Sequence, residues 1–270
     1  MEIPLFPLHT VLCPGIVLPL HIFEDRYRAL TRHCLATGTP FGIVLIRDGR
    51  QAAAGEAPAL AGVGALVEIR EAGRYPDGRY DLLAAATGRF AIESVDPGRA
   101  PYLVAHVTPL EDEVGDEVRA ERLAATAIRR FVRYLELMRI REGETGEALD
   151  IRVELDSPSS GGPSEPSEAG EVTEVTEVTD EGGLEVPAAP PGQVGKTNLV
   201  IPDDPTVLSY LLSGIVQIEL PRRQRLLEAE TTVERLEQLV ALLDREVLLL
   251  GRRLRFFSPD ARILGGARRS

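Results

Sequence analysis

The 270-residue chain reads as an α+β protein, with a small β-barrel or sandwich first and helices after it. Three patterns carry that reading. The apolar opening at residues 3–30, IPLFPLHTVLCPGIVLPLHIFEDRYRAL, is broken by Pro4, Pro7, Pro14 and Pro19. It is not one helix, because an interior proline removes a backbone donor and clashes with the carbonyl a turn earlier. Short β-rich runs separated by Pro/Gly turns then follow up to about residue 110. Beyond residue 116 the apolar residues recur at spacings of 3 and 4, the period of a helix.

The opening divides into strands at 3–6 and 16–23, joined by a turn at Cys13-Pro14-Gly15. Their prolines predict sheet-edge or bulged positions. Glu24 and Asp25 can start a helix, and Tyr27, Leu30 and Cys34 then fall on one of its faces. Residues 41–47 read as a strand with both faces buried, and 48–61 as a loop of small residues. Strands at 63–71 and 79–86 are joined by Tyr75-Pro76-Asp77-Gly78, a sequence that presets a turn. Gly88–Val95 and 102–109 supply two more, split by Asp96-Pro97-Gly98.

The first long helix is predicted at 116–141. Ala124, Ala127, Phe131, Leu135 and Met138 form its apolar face, and Arg119, Glu121, Arg122, Arg129 and Arg133 face away. A helix restarts after Asp204, which suits the cap, with Pro205 at its first position and Val207, Leu208, Leu211, Leu212 and Ile215 as the apolar face. A short helix spans 221–227. Thr231-Thr232-Val233-Glu234 has the form of a capping box that opens a last, long helix. Val233, Leu236, Val240, Leu243, Val247, Leu250 and Leu254 make a heptad stripe along it, widened by Leu239, Leu242 and Leu249. That stripe predicts packing in a helical bundle and leaves open association with a helix of another chain.

Residues 142–198 break the pattern with DSPSSGGPSEPSEAG, the triplet repeat EVTEVTEVTD and PAAPPG. Such a composition buries too little surface to offset ordering entropy, so the segment is expected to be a disordered acidic insertion. The net charge of -12 is concentrated there: residues 142–195 carry 14 acidic side chains and only Arg152 as a base, which leaves the remainder at +1. The insertion reads as a tolerated linker or as an acidic interaction segment; loop entropy rises slowly with length, which favours the linker. No apolar run approaches the roughly 20 residues that cross a bilayer. The opening lacks a basic leader, and Cys13 and Cys34 alone make no disulfide framework; both point to the cytoplasm.

The run PLFPL, then PG, then LPLHIFEDRYRAL resembles the start of the N-terminal, substrate-binding domain of Lon proteases. The similarity continues through FGIVLIRDG (41–49), VGALVEI (63–69), DGRYDLLAAATGRF (77–90) and PYLVAHVTPLED (101–112), and resumes at DPTVLSYLL and RQRLLEAETTVERLEQL. The resemblance implies a PUA-like β-barrel followed by an α-helical bundle subdomain. On this chain it implies a barrel at 1–112, a helix of the subdomain at 113–141, the acidic insertion at 142–198, the rest of the subdomain at 199–256 and a basic tail at 257–270. It also implies a stand-alone module without ATPase or peptidase parts that binds polypeptide in protein quality control.

The residues offer little chemistry. Gly195-Lys196-Thr197 lacks the upstream glycine of a phosphate loop, where Pro190 stands, and no strand precedes it. Lys196 is the only lysine and lies in the linker, so the buried lysine of a Ser–Lys dyad is missing. His9, Cys13, His21, His33 and Cys34 gather near the start, but their spacing matches no zinc signature. Glu24-Asp25 and Glu111-Asp112-Glu113 read as caps and solvated turns. The expectation is therefore a non-enzyme that uses no cofactor. An RNA-binding PUA-like module is the alternative reading, yet the barrel is near neutral and only the tail is arginine-rich, so nucleic acid is disfavoured as a partner. The polypeptide site is expected on the second strand: Pro19 and Phe23 on its outward face, Arg26 and Tyr27 on the rim, and the helices forming the other wall of a groove.

Overall fold

The computed structural model describes residues 1–47, 59–142, 176–177 and 201–257. Strands β1 (Glu2–Leu8) and β2 (Val17–Ile22) precede helix α1 (Asp25–Thr37). Strands β3 (Phe41–Leu45), β4 (Val63–Arg74), β5 (Tyr80–Asp96) and β6 (Leu103–Leu110) follow, then α2 (Glu117–Glu142). The two-residue β7 (Thr176–Glu177) lies parallel to the end of β4. Helices α3 (Pro205–Ile215), α4 (Leu220–Glu228) and α5 (Thr232–Phe257) complete the described chain. The fold is α+β, with one mixed sheet in the order β2-β5-β6-β1-β3-β4-β7 and a further pairing of β5 with β4.

Only β2 of the two proline-bearing opening strands lies at an edge. β1 sits between β6, antiparallel to it, and β3, parallel to it, and β1 and β2 do not pair with each other. The prolines of β1 are accommodated by where its neighbours stop. The Met1 carbonyl accepts from Val107 of β6, and the Leu8 carbonyl accepts from Ile46 beyond β3. Odd-numbered backbone groups of β1 therefore face β6 and even-numbered ones face β3. Pairing with β3 starts at Leu5, after Pro4, and pairing with β6 ends at Leu5, before Pro7. Neither missing donor faces a paired neighbour.

The two strands expected at 79–86 and Gly88–Val95 are one 17-residue strand, β5. The register passes from Val67↔Ala86 to Leu66↔Gly88, so Thr87 is an extra residue, and a second irregularity falls between Ile92 and Ser94. Gly88 marks a bulge, which bends a strand without ending it. The bend lets the first half of β5 pair with β2 and the second half with β6, while β4 follows its other side.

All of β3 is buried, as its apolar run predicts. Phe41 and Ile43 pack in a cluster with Tyr27, Leu30 and Cys34 of α1, the face expected for that helix. A second sheet cluster contains Ile3, Leu5, Val44 and Phe90 together with Tyr210 of α3 and Leu227 of α4. The third core is helical and takes in Ala124, Ala127, Phe131 and Met138 of α2 with Leu236, Leu243 and Leu250 of α5. α2 and α5 run side by side in the same direction. Thr232 N donates to the Glu113 carbonyl at their starts, Arg119 pairs with Glu237, and Arg130 meets Asp244 at 2.6 Å further on. Val233, Val240 and Val247 of the heptad stripe pack against the same core, while Leu249 beside the stripe stays exposed.

The caps follow the sequence closely. Asp204 Oδ1 accepts from Thr206 N at 2.6 Å and Val207 N at 3.1 Å, with Pro205 opening α3. Asp204→Ala is expected to cost about 1 kcal/mol in denaturant unfolding. Val207 and Ile215, predicted on the apolar face of α3, are exposed; Ser209, Tyr210 and Ser213 are buried there with Leu208 and Leu212. In the capping box Glu234 N donates to Thr231 Oγ1 at 3.1 Å, but the Glu234 carboxylate accepts from Glu230 N rather than from Thr231. Lys196, Leu254's side chain, the acidic residues at 143–175 and 178–198 and the tail at 258–270 lie outside the described residues.

Candidate functional site

Alternation along β2 sends Leu18, Leu20 and Ile22 towards the sheet core and Val17, Pro19 and His21 outward. Phe23 continues the outward set just past the strand and is 61% exposed. The partners across β5 keep the same parity, with Val17 opposite Ala85, Pro19 opposite Leu83 and His21 opposite Asp81. The helices were expected to form the other wall of a groove here; α3 comes close at Ile16, just before β2, where a Cβ on Gly214 would lie 2.9 Å from Ile16 Cγ1.

At the far end of β2 the neighbours come from the β4–β5 turn instead. His21 lies 6.3 Å from the Phe23 ring and 6.2 Å from the Tyr75 ring, centroid to centroid. Asp81 joins them: His21 Nδ1 is 2.6 Å from Asp81 Oδ1, and Tyr75 OH donates to Asp81 Oδ2 at 2.5 Å. An ionised carboxylate only accepts, so the proton of a neutral His21 sits on Nδ1. Partial burial pushes the Asp81 carboxyl up, but the bonds from Tyr75 and His21 outweigh it and hold the group below its ordinary value. The bond to Asp81 in turn raises the Tyr75 phenol.

Of the four predicted site residues, Pro19 and Phe23 share the exposed face, and Arg26 is exposed on the first turn of α1. Tyr27 is not a rim residue. It is 8% exposed, its ring stacked 4.0 Å from Phe6, with the Arg26 guanidinium 4.5 Å over its other side. The i, i+3 spacing from Leu30 that placed Tyr27 on the apolar face of α1 is the property that withdraws it from the surface. Three arginines here are matched by carboxylates: Arg26 to Glu24 at 2.8 Å, Arg28 to Asp25 at 3.0 Å and Arg79 to Asp77 at 2.6 Å.

A second polar cluster, buried, joins sheet to helices. Arg89 of β5 is 3% exposed and Arg235 of α5 is 0% exposed. Both reach Asp112, at 2.7 and 3.5 Å, and Asp112 also accepts from Tyr210 OH. Asp112 is exposed, as its acidic run suggested, but its carboxylate turns in to meet the two buried guanidinium groups. One carboxylate does not balance two guanidinium groups; the remainder falls on the C-terminal end of α4. Arg89 donates to the Leu227 and Ala229 carbonyls at 2.8 Å, and Arg235 to the Leu226 carbonyl at 3.1 Å. Those carbonyls lack helical partners and carry the negative end of the helix dipole. The Arg235 guanidinium also lies 3.8 Å over the Tyr210 ring. Burial lowers the Arg235 pKa and raises that of Tyr210.

The cysteines and histidines grouped by the sequence are dispersed by the fold. Cys13 packs in the core shared with α3 and α4, and Cys34 in the core under α1; burial pushes both thiols up to about 11. No group of three or more His, Cys, Asp or Glu residues is placed to hold a metal ion among the described residues. An open cavity of about 740 Å³ lies between α4 and α5, lined by Pro221, Arg222, Arg225, Glu234, Gln238 and Leu242 among others. No described helix is long and apolar enough to cross a membrane.

This mixed sheet with its packed helices has the fold of Lon N-terminal domains. The Lon N-terminal domain protein of Xanthomonas campestris aligns with a TM-score of 0.51 at 24% identity, covering 89% of this chain and 98% of that one. The N-terminal domain of the Mycobacterium avium complex Lon protease aligns with a TM-score of 0.53 at 18% identity, covering 90% and 98%. At the sequence level the profile of the ATP-dependent protease La (LON) substrate-binding domain matches residues 2–245, and the chain belongs to that family. It is 28% identical over 146 residues to the Lon protease of Flavobacterium johnsoniae and 26% identical over 136 residues to that of Azorhizobium caulinodans. These matches take in 53% and 50% of this chain but 17% and 16% of the proteases.

Proposed function

We propose that this chain is a non-catalytic module that binds unfolded polypeptide or a partner protein, in cytoplasmic protein quality control, through the outward face of β2. The observation that carries the reading is Phe23, a large aromatic side chain left 61% exposed at the end of an apolar edge strand. An exposed aromatic at the end of the strand face that carries Val17 and Pro19 gives up contact with water on binding, worth roughly 1.5–3 kcal/mol for one fully buried anchor. The sheet circuit β5–β6–β1–β3–β4–β5 supports the PUA-like barrel that the resemblance implies. The boundaries at 112, 141, 198 and 256 are proposed with it.

Phe23→Ser is expected to weaken capture of fluorescein-labelled casein, an unfolded chain, by about tenfold or more. The variant keeps its melting temperature, since the side chain is mostly in water. Unchanged capture by a folded variant rejects the face. Lys196→Ala is expected to be silent in casein and ATP hydrolysis assays. Hydrolysis by the purified protein that this substitution abolishes would overturn the non-catalytic reading.

A further inference from the structure

We propose that Asp81 is the positioning residue of this face. It holds the His21 and Tyr75 rings beside Phe23 so that the three seat one aromatic or aliphatic side chain of an extended, uncharged polypeptide segment. The inference rests on the polypeptide-binding reading above and adds what is recognised and which residues prepare it.

The rings come from separate parts of the sheet, yet one carboxylate fixes two of them. Asp81 stands on β5 between β2 and β4, with His21 directly opposite in the register and Gly73 on its other side. Gly73 carries no side chain to fill the space over β5, and Tyr75, two residues on, leans across to Asp81. Exposed rings are ordinarily free to turn, and binding must then order them. Rings already held lose less freedom when a ligand arrives. Nothing in sheet stability requires this bond pair, because Asp81 and His21 are about half exposed.

The charges select the occupant. Arg26, Arg28 and Arg79 are each paired with a carboxylate, and both oxygens of Asp81 are engaged. Exposed Glu71 and Arg74 of β4 add one charge of each sign near the rings, so the described residues present no excess of either sign to an ionic ligand. A nucleic acid draws its affinity from several cations free to neutralise phosphate, and Arg74 beside Glu71 is not such a set. β2 is the edge of the sheet, and a segment laid along it in the same extended form turns every second side chain to the outward face. Pro19 has no N–H to give, so the edge cannot form a continuous ladder with the segment. Ring contact at the Phe23 end then supplies the selection.

The test uses fluorescence anisotropy with a labelled dodecapeptide alternating Phe and Ser, one alternating Lys and Ser, and a labelled twelve-nucleotide uridine RNA. The wild type should bind the Phe peptide well above the Lys peptide. Asp81→Ala and Tyr75→Ala should each weaken the Phe peptide about tenfold. Tyr75→Phe, which keeps the ring and loses only its bond to Asp81, should fall between them and the wild type. Ring nitrogen shifts of His21 should report the Nδ1–H tautomer in the wild type and lose that preference in Asp81→Ala, with the melting temperature unchanged. If Phe23→Ser weakens binding while Asp81→Ala and Tyr75→Phe bind as the wild type, the positioning role is overturned and the proposed function stands. If the wild type binds neither peptide, both fall. RNA binding that Tyr75→Ala removes would overturn the polypeptide as occupant.

Discussion

Arg89→Ala is expected to destabilise the protein by about 3 kcal/mol, because a buried guanidinium, its bonds to two helix-end carbonyls and its pairing with the exposed Asp112 are lost together. Three elements lose a tie at once. Asp112 loses its nearest guanidinium, at 2.7 Å, and the Leu227 and Ala229 carbonyls lose the donors that satisfy the end of α4. Leu227 also belongs to the core that α4 shares with the sheet, so the damage falls on the joint between sheet and helices. Arg89→Lys should recover little, because a single ammonium cannot reach two carbonyls and a carboxylate in the geometry of the guanidinium fork. Arg235→Ala should cost a similar amount, and the double variant less than the sum, since both arginines act through Asp112 and Ala229. Equilibrium unfolding in urea measures all three. A loss under about 1 kcal/mol for Arg89→Ala would mean the cluster is dispensable and that apolar packing alone holds the joint.

The features visible in the sequence were those set by local rules. Period and capping residues located every described helix; for α3, Asp204 and Pro205 specify the start by backbone chemistry that depends on nothing distant. The apolar run of β3 was legible because a strand buried on both faces shows no alternation to misread. The strand order was not legible. A proline in a strand suggests an edge, and that rule fails at β1 because the answer depends on where β3 and β6 end. The Gly88 break misled for a similar reason, since a bulge and a turn use the same residue types. On the candidate face, the alternation that exposes Pro19 and Phe23 was readable, and of the two places the sequence offered Tyr27, the apolar face of α1 and the rim, its helical spacing with Leu30 and Cys34 gave the buried one. Tyr75 and Asp81 were hidden because their partner is 60 residues from Asp81 in the chain. A pointer existed in the Tyr-Pro-Asp-Gly turn, which places residues on either side of it close together. The buried arginines carried no such pointer: Arg235 sits among polar neighbours in a long helix and looks solvated until α4 is packed against it.

Gly64→Ala is expected to cost about 3 kcal/mol, the upper part of the range for forcing extra volume into a packed core. In an ordinary strand the same change is favourable or neutral, because alanine loses less freedom than glycine on folding. The sign therefore isolates the steric term. A Cβ on Gly64 would lie 2.5 Å from Phe90 Cζ and 2.7 Å from the Ile43 carbonyl oxygen. Phe90 is fully buried and pairs with Gly64 across β4 and β5, so its ring occupies the space that a side chain at 64 would need. Gly42 offers the internal comparison: a Cβ there would meet Phe90 Cζ at 2.6 Å and Leu5 Cδ2 at 2.8 Å, both side-chain atoms. Phe90→Leu removes the ring tip in either background. It should restore much of the stability lost by Gly42→Ala, where side chains alone obstruct. It should restore less in Gly64→Ala, because the Ile43 carbonyl belongs to the β3–β4 pairing and can move only with the strand. Equal rescue at both positions, measured by thermal unfolding, would show that the sheet backbone yields at β3 and that the ring alone sets the limit.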